Sequence, residues 1–209
     1  LHGSSAASDV YKRQTIGCSN APLLRMMANF SDYYKLKKAV AWLLRLVRLI
    51  QFKELTKGPL LVKELRQAEQ ALIKEVQLTY FRKEIERLKE GKPVLKSSCL
   101  AKWDPQLHEG IVVIGGRLQH SKCLQEHAKH RPVLPHQAPI ARMIMEDYHK
   151  AGHTGVEWTM SMLNEFYLII GARKAIKGIR KRCNKCKALH GRTAEQKTVS
   201  YTHLRAHET

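Results

Sequence analysis

Asp147-Tyr148-His149-Lys150-Ala151-Gly152-His153, answered after an interval of 29 residues by Cys183-Asn184-Lys185-Cys186, is the stretch that decides the fold of this 209-residue chain. The His-x3-His and Cys-x2-Cys pairs supply four soft or borderline ligands, a set that suits one tetrahedral zinc ion. Helical spacing brings both imidazoles of the first pair to one side of the backbone. The second pair is a short knuckle offering two thiolates. The residues between them are enough for a helix, a turn and a second helix, so the metal is expected to clamp a small helical unit at both ends. Four protein ligands leave no open coordination position, which makes the site structural.

A lone His or Cys is ordinarily surface or packing, but two tight pairs argue for metal. Catalytic zinc is disfavoured because no His-Glu-x-x-His is present; Glu146 precedes the first pair without the metalloprotease spacing. Competing ligands exist. His190 follows Cys186 by four residues, and Cys123, His127 and His130 form a looser cluster upstream; neither completes a four-ligand set at ordinary spacing.

Composition narrows the class further. Lys plus Arg number 37 against 18 Asp plus Glu, a net charge of +19 and a pI near 9.9, which favours a polyanionic partner. Five cysteines, an odd number with one close pair, point to metal chemistry in a reducing compartment and away from a disulfide framework. The most apolar run, Ala39 to Phe52, is short and interrupted by Arg45 and Arg48, so it does not read as a transmembrane span, and no secretory signal is visible. Residues 7–14 and 199–209 resemble translated sequencing-library adapters. Setting residues 1–14 and 199–209 aside as artefactual tails changes the net charge only to about +18, so the basic character belongs to the middle.

The predicted fold is mainly α: an N-terminal helical hairpin over residues 31–92, a short β and loop region over 93–138, then a zinc-stabilised small helical domain over 139–198. A first helix from about Asp32 to Phe52 has apolar residues at three-to-four spacing, with Ser31 or Asp32 as cap. Gly58-Pro59 breaks the chain, and a second helix with proline in its first turn runs to about Glu90, its stripe Leu61, Leu65, Ala68, Leu72, Val76 and Thr79 facing the first. Gly91-Lys92-Pro93 ends it. Ile111-Val112-Val113-Ile114 reads as a strand stopped by Gly115-Gly116, and Pro132, Pro135 and Pro139 break up the segment beyond, giving one or two short strands and extended loops. A helix returns from Pro139 with Ile140, Met143, Ile144 and Tyr148 on its inner face. Thr154-Gly155-Val156-Glu157 has capping-box spacing for the next helix, which runs to Phe166 and buries Val156, Met160 and Leu163. Phe166 to Ile170 either pairs as a strand or packs over the zinc. A last helix begins near Gly171 or Ala172, with Ala175, Ile176, Ile179 and Cys183 inward and cations outward.

Val113-Ile114-Gly115-Gly116-Arg117-Leu118, Arg131-Pro132-Val133-Leu134-Pro135, the two ligand pairs with Gly155, and Gly171, Arg173 and Ile179 together resemble the zinc-binding domain that opens the integrases of BEL/Pao-type LTR retrotransposons. Trp42-Leu43-Leu44-Arg45 and Ala68-Glu69-Gln70 look like the connector that precedes it in the pol polyprotein. The resemblance covers roughly residues 35–197. The chain departs at Phe166-Tyr167, where the family usually has Phe-Trp, at Ile169-Ile170, where proline often follows, at Gly171-Ala172-Arg173, where Gly-Arg is usual, and at Lys187-Ala188, where the family has Arg-Arg; the metal ligands are intact.

The resemblance implies a non-catalytic module that helps integrase multimerise and engage the ends of the element's cDNA, with strand transfer performed by a separate DDE-type core; 23 residues follow Cys186, too few to form one. It implies one structural zinc ion, retroelement cDNA as partner, self-association or contact with other pol domains, no membrane, and an intracellular parent element acting in cytoplasm and nucleus. From the residues alone, 171–198 carry ten Lys or Arg and one acid, Glu195. Arg173, Lys174, Lys177, Arg180, Lys181, Arg182, Lys185 and Lys187 are candidate nucleic-acid contacts, giving salt-sensitive and largely sequence-independent affinity. The alternative is a zinc-stabilised protein-interaction module whose charge only solvates it. A metal-dependent hydrolase is a third reading, and it requires an open coordination site and a positioned base.

Overall fold

The computed structural model describes residues 26–27, 29–53, 58–114 and 129–190. The expectations for both tails, for Gly115-Gly116 and for Cys123 and His127 lie outside those residues. The fold is mainly helical, with an N-terminal hairpin, a small sheet and a helical unit that carries the His and Cys pairs.

Helix α1 (Tyr33–Phe52) starts where Asp32 accepts the Lys35 backbone N–H (2.9 Å) and ends at Lys53 in the left-handed conformation. Asp32 is therefore the cap, satisfying one of the donors that every helix start leaves unpaired. Helix α2 (Val62–Tyr80) folds back on α1. It starts three residues later than Pro59 led one to expect, because the Glu64 carboxylate accepts the Leu61 backbone N–H (2.7 Å) and sets the first turn. The same carboxylate takes a two-pronged bond from Arg45 (2.7 and 2.8 Å), whose remaining donors reach the carbonyls of Gly58 and Pro59. Arg45 thus pins the hairpin bend instead of solvating the helix, and Trp42 lies against its guanidinium. The inward stripe of α2 is Glu64, Ala68, Leu72, Ile73, Val76 and Gln77. Leu61, expected inward, is exposed. The second helix does not run unbroken to Glu90: Phe81 leaves helical geometry, and α3 (Arg82–Lys89) follows as a separate segment. Burial of Phe81 in a second apolar cluster with Ile85, Leu100, Val112 and Val133 accounts for the break.

The middle region builds more sheet than its prolines suggested. Strands β1 (Pro105–His108) and β2 (Ile111–Ile114) form a hairpin through Glu109 and Gly110, both with positive φ as the favoured two-residue turn demands. Strand β3 (Arg131–Pro135) pairs antiparallel with β2, and after two helices β4 (Leu168–Ile170) pairs parallel with β3, giving the order β1-β2-β3-β4. Pro132 and Pro135 sit towards the ends of β3, where a missing N–H is tolerated, and flank the fully buried Val133 and Leu134. The β2–β3 register, continued by one residue, would pair Val112 with Val133. Instead the amide of Gln77, with no exposed surface, inserts there: its Nε2 donates to both carbonyls (2.8 Å each) and its Oε1 accepts the Val112 N–H (2.7 Å).

Between β3 and β4 lie α4 (Pro139–Gly152), with proline at its first turn, and α5 (Val156–Phe166); α6 (Ala172–Arg182) and α7 (Asn184–His190) follow β4. Helix α5 is capped by Gly155, not by a Thr154 capping box; the Thr154 hydroxyl bonds that of Thr159 (3.1 Å). Leu163 is buried, while Val156 and Met160 are half-buried. One continuous core joins Leu36, Val40, Leu72 and Val76 of the hairpin to Ile140, Ile144, Leu163 and Ile176 of the later helices. The two halves also share a polar knot, in which the hydroxyls of Tyr33 and Tyr167 both donate to Glu69 and Lys37 lies 3.7 Å from the same carboxylate.

Candidate metal centre

Three backbone devices bring the four ligands together. His149 occupies the last turn of α4, fully within the core side of that helix. His153 caps α4 in the left-handed conformation (φ 48°, ψ 33°), its N–H bonded to the His149 carbonyl at 2.7 Å. That geometry is uncommon for a residue with a Cβ and costs roughly 1–2 kcal/mol, so it persists where surrounding structure demands it. Here it swings the second imidazole back over the first, and the rings meet edge to face with centroids 5.1 Å apart. Cys183 ends α6 with extended backbone, and α7 begins at once, returning Cys186 to the same point.

The position of α6 is set one strand earlier. Gly171 adopts φ +78°, and a Cβ there would lie 2.7 Å from His136 Nδ1, so both the backbone conformation and the space require glycine. The His136 ring donates to the Ile170 carbonyl (3.0 Å), and Arg131 donates to the Asn164 carbonyl (2.6 Å), tying the two ends of β3 to the last residue of β4 and to α5.

The ligand atoms, His149 Nε2, His153 Nδ1 and the two sulfurs, lie within 4.8 Å of one another. Zinc bonds of about 2.3 Å to sulfur and about 2.05 Å to nitrogen, opened at the tetrahedral angle, set a sulfur–nitrogen edge of about 3.6 Å. The separations Cys183–His153, Cys186–His149 and Cys186–His153 are 3.2, 3.3 and 3.8 Å, which bracket that edge. The four residues are positioned to bind one zinc ion.

Electrostatics favour the metal-binding protonation states of His149 and Cys183, though not of Cys186. Burial pushes the His149 pKa down, with the neighbouring His153 and Arg180 adding to it, so the imidazole stays neutral and its lone pair available. The backbone N–H of Cys186, followed by that of Lys185, points at the Cys183 sulfur and lowers its pKa, while burial raises that of Cys186. Buried His149 Nδ1 has no hydrogen-bond partner among the described residues.

His190, a competing ligand by its spacing, is exposed on α7 and is not among the clustered four. His130 instead stacks on His108, centroids 4.6 Å apart. Of the candidate nucleic-acid residues, Arg173, Lys174, Lys177, Lys181, Arg182, Lys185 and Lys187 are exposed and Arg180 is half-buried. Arg173 is engaged by Glu157. Two grooves flank the ligands. One, of about 460 Å³, is lined by Lys177, Arg180, Lys181, Lys187 and His190; the other, of about 260 Å³, by Arg142, Lys150 and Arg182 with Glu146. Arg142 and Lys150 line the second groove without having been singled out in the sequence. Their signal was present, since both stand on α4 within seven residues of His149, but they were not read as sharing a surface with α6.

A small helical unit closed by two histidines and two cysteines defines a structural zinc-binding domain. Residues 137–191, about a quarter of the chain, match the family model of the integrase zinc binding domain, and all four clustered ligands fall within that match. No curated protein and no solved structure matches the chain. Among the described residues no helix is long and apolar enough to cross a membrane.

Proposed function

We propose that the chain is a fragment of a BEL/Pao-type retrotransposon pol protein in which residues 139–198 form the zinc module of an integrase and residues 31–92 its connector. The module binds nucleic acid and supports integrase assembly, and the DDE core of the parent polyprotein supplies the chemistry of integration. Zinc supplies fold stability: it ties the end of α4 to the turn between α6 and α7, which fixes the cationic face of α6. The observation that carries the nucleic-acid role is the placement of cations from three helices around the metal ligands, Lys177, Lys181 and Lys187 on one side and Arg142, Lys150 and Arg182 on the other. Phosphate is the natural counter-charge for such a surface.

Fluorescence anisotropy with a short DNA duplex at stepped salt concentrations tests the reading. Engagement of about five phosphates gives a slope of log affinity on log salt near −4.5, or roughly 500-fold weakening between 50 and 200 mM. Lys177→Glu with Lys181→Glu, both exposed, reduces the slope by about two. Absence of DNA binding at low salt by a zinc-loaded, folded chain would sink the nucleic-acid role and leave a protein-interaction module.

A further inference from the structure

Helix α1 has a second apolar face that the hairpin leaves outward. Its core face is Tyr33, Leu36, Val40 and Ala41. On the opposite side Ala39, Leu43, Leu46 and Ile50 recur at spacings of four, three and four, the alternation of a two-heptad helix seam, and Trp42 and Val47 flank it. The exposures are those of solvent-facing residues: Trp42 53%, Leu43 41%, Leu46 51%, Val47 38% and Ile50 71%. No charged side chain interrupts this strip from Ala39 to Ile50, because Arg45 is buried against Glu64 and Arg48 is turned to Gln67.

We propose that this face is a self-association surface, on which a second copy of the chain packs its own α1 in antiparallel register about a two-fold axis. Area supports the occupant. Five side chains exposing on the order of 100 Å² each remove about 1,000 Å² from water across two copies, the lower bound for a specific interface. An isologous pairing needs one self-complementary patch, and a seam of Leu and Ile flanked by Trp and Val is one. Charge selects the orientation. Helix α1 contains no acid, and its cations outside the hairpin contacts, Lys35 and Lys38, stand at its N-terminal end, with no base in its last turn. In parallel the four lysines of a dimer would face one another. In antiparallel they lie at opposite ends of a helix about 30 Å long, well beyond a screening length of roughly 8–10 Å, and each pair approaches the negative end of the partner's helix dipole.

Sedimentation equilibrium of the full, zinc-loaded chain, wild type beside the Leu46→Glu/Ile50→Glu variant, tests the proposal. The surface predicts a wild-type dimer with a dissociation constant on the order of micromolar, weakened at least about tenfold in the variant. Because both positions are solvent-facing, circular dichroism and zinc content stay unchanged. A wild type that stays monomeric at roughly hundreds of micromolar overturns the proposal and leaves the face to another segment or a different protein. A dimer that the variant retains, with zinc bound, also overturns it by placing the interface elsewhere.

Discussion

Replacement of Gln77 by leucine is the most telling perturbation of the scaffold, since shape and volume are nearly kept while three hydrogen bonds vanish. The side-chain amide stands in for strand pairing between Val112 and Val133, both without exposed surface. In the variant, one buried N–H and two buried carbonyls lose a partner. At about 1–3 kcal/mol for each group left unsatisfied, offset by about 1–2 kcal/mol from burying leucine in place of an amide, the net loss spans about 1–8 kcal/mol and centres near 4–5 kcal/mol. That is a large share of the 5–15 kcal/mol typical of a folded domain. Urea unfolding at saturating zinc, followed by far-ultraviolet circular dichroism, would show the midpoint falling by roughly 2 M for a slope near 2 kcal/mol/M. Gln70→Leu serves as the control: Gln70 is exposed, its hydrogen bond to Glu109 is 3.5 Å long, and its replacement changes stability by no more than about 0.5 kcal/mol. A Gln77→Leu loss below about 1 kcal/mol would refute the reasoning, because the strands would then have closed on each other without the amide.

Other perturbations have defined outcomes. Gly171→Ala forces a Cβ into the left-handed region and against His136, so stability falls by more than the roughly 1 kcal/mol of the backbone penalty alone, whereas Gly155→Ala, with open space around it and ordinary φ, costs less than about 1 kcal/mol, the exchange of a glycine cap for alanine, by the same unfolding assay. The Arg45 bond holds the Glu64 pKa below its ordinary value, so the pair's contribution is present above the unfolded carboxylate pKa of about 4.3 and is lost as pH falls through the lower folded value; Glu64→Gln flattens the acid limb of a stability–pH curve. Burial, with the Glu69 charge next for Tyr167, raises the Tyr33 and Tyr167 pKa values, so both stay protonated in the native state when exposed tyrosines ionise near pH 10; a tyrosinate absorbance titration shows them ionising only on alkaline unfolding, and stability declines above about pH 10.

The metal site was readable in the sequence because its ligands fall in two tight pairs, and spacing within a pair is a local property. The helices were readable for the same reason, from Asp32 as a cap to the apolar period of α4. The features that sequence reasoning missed depend on partners distant along the chain. Strand β3 looked like proline-broken loop since its neighbour β4 lies beyond two helices, and Gln77 looked like one polar residue among many on α2 until two strands closed around it. Arg45 interrupted an apolar run on paper, yet in the fold it is the residue that fixes the hairpin bend. His153 shows an intermediate case: its nearness to His149 was evident, but the left-handed cap that turns its ring inward needs the whole end of α4 in place.

Native mass spectrometry of the full chain, with and without a strong chelator and beside Cys183→Ser, is the most direct test of a zinc-closed module. One zinc per chain, removed by chelator and absent from the variant, with loss of helical signal in both, is the result expected when His149, His153, Cys183 and Cys186 close a single structural site. A wild-type chain that is fully helical and cooperative yet carries no zinc would contradict it.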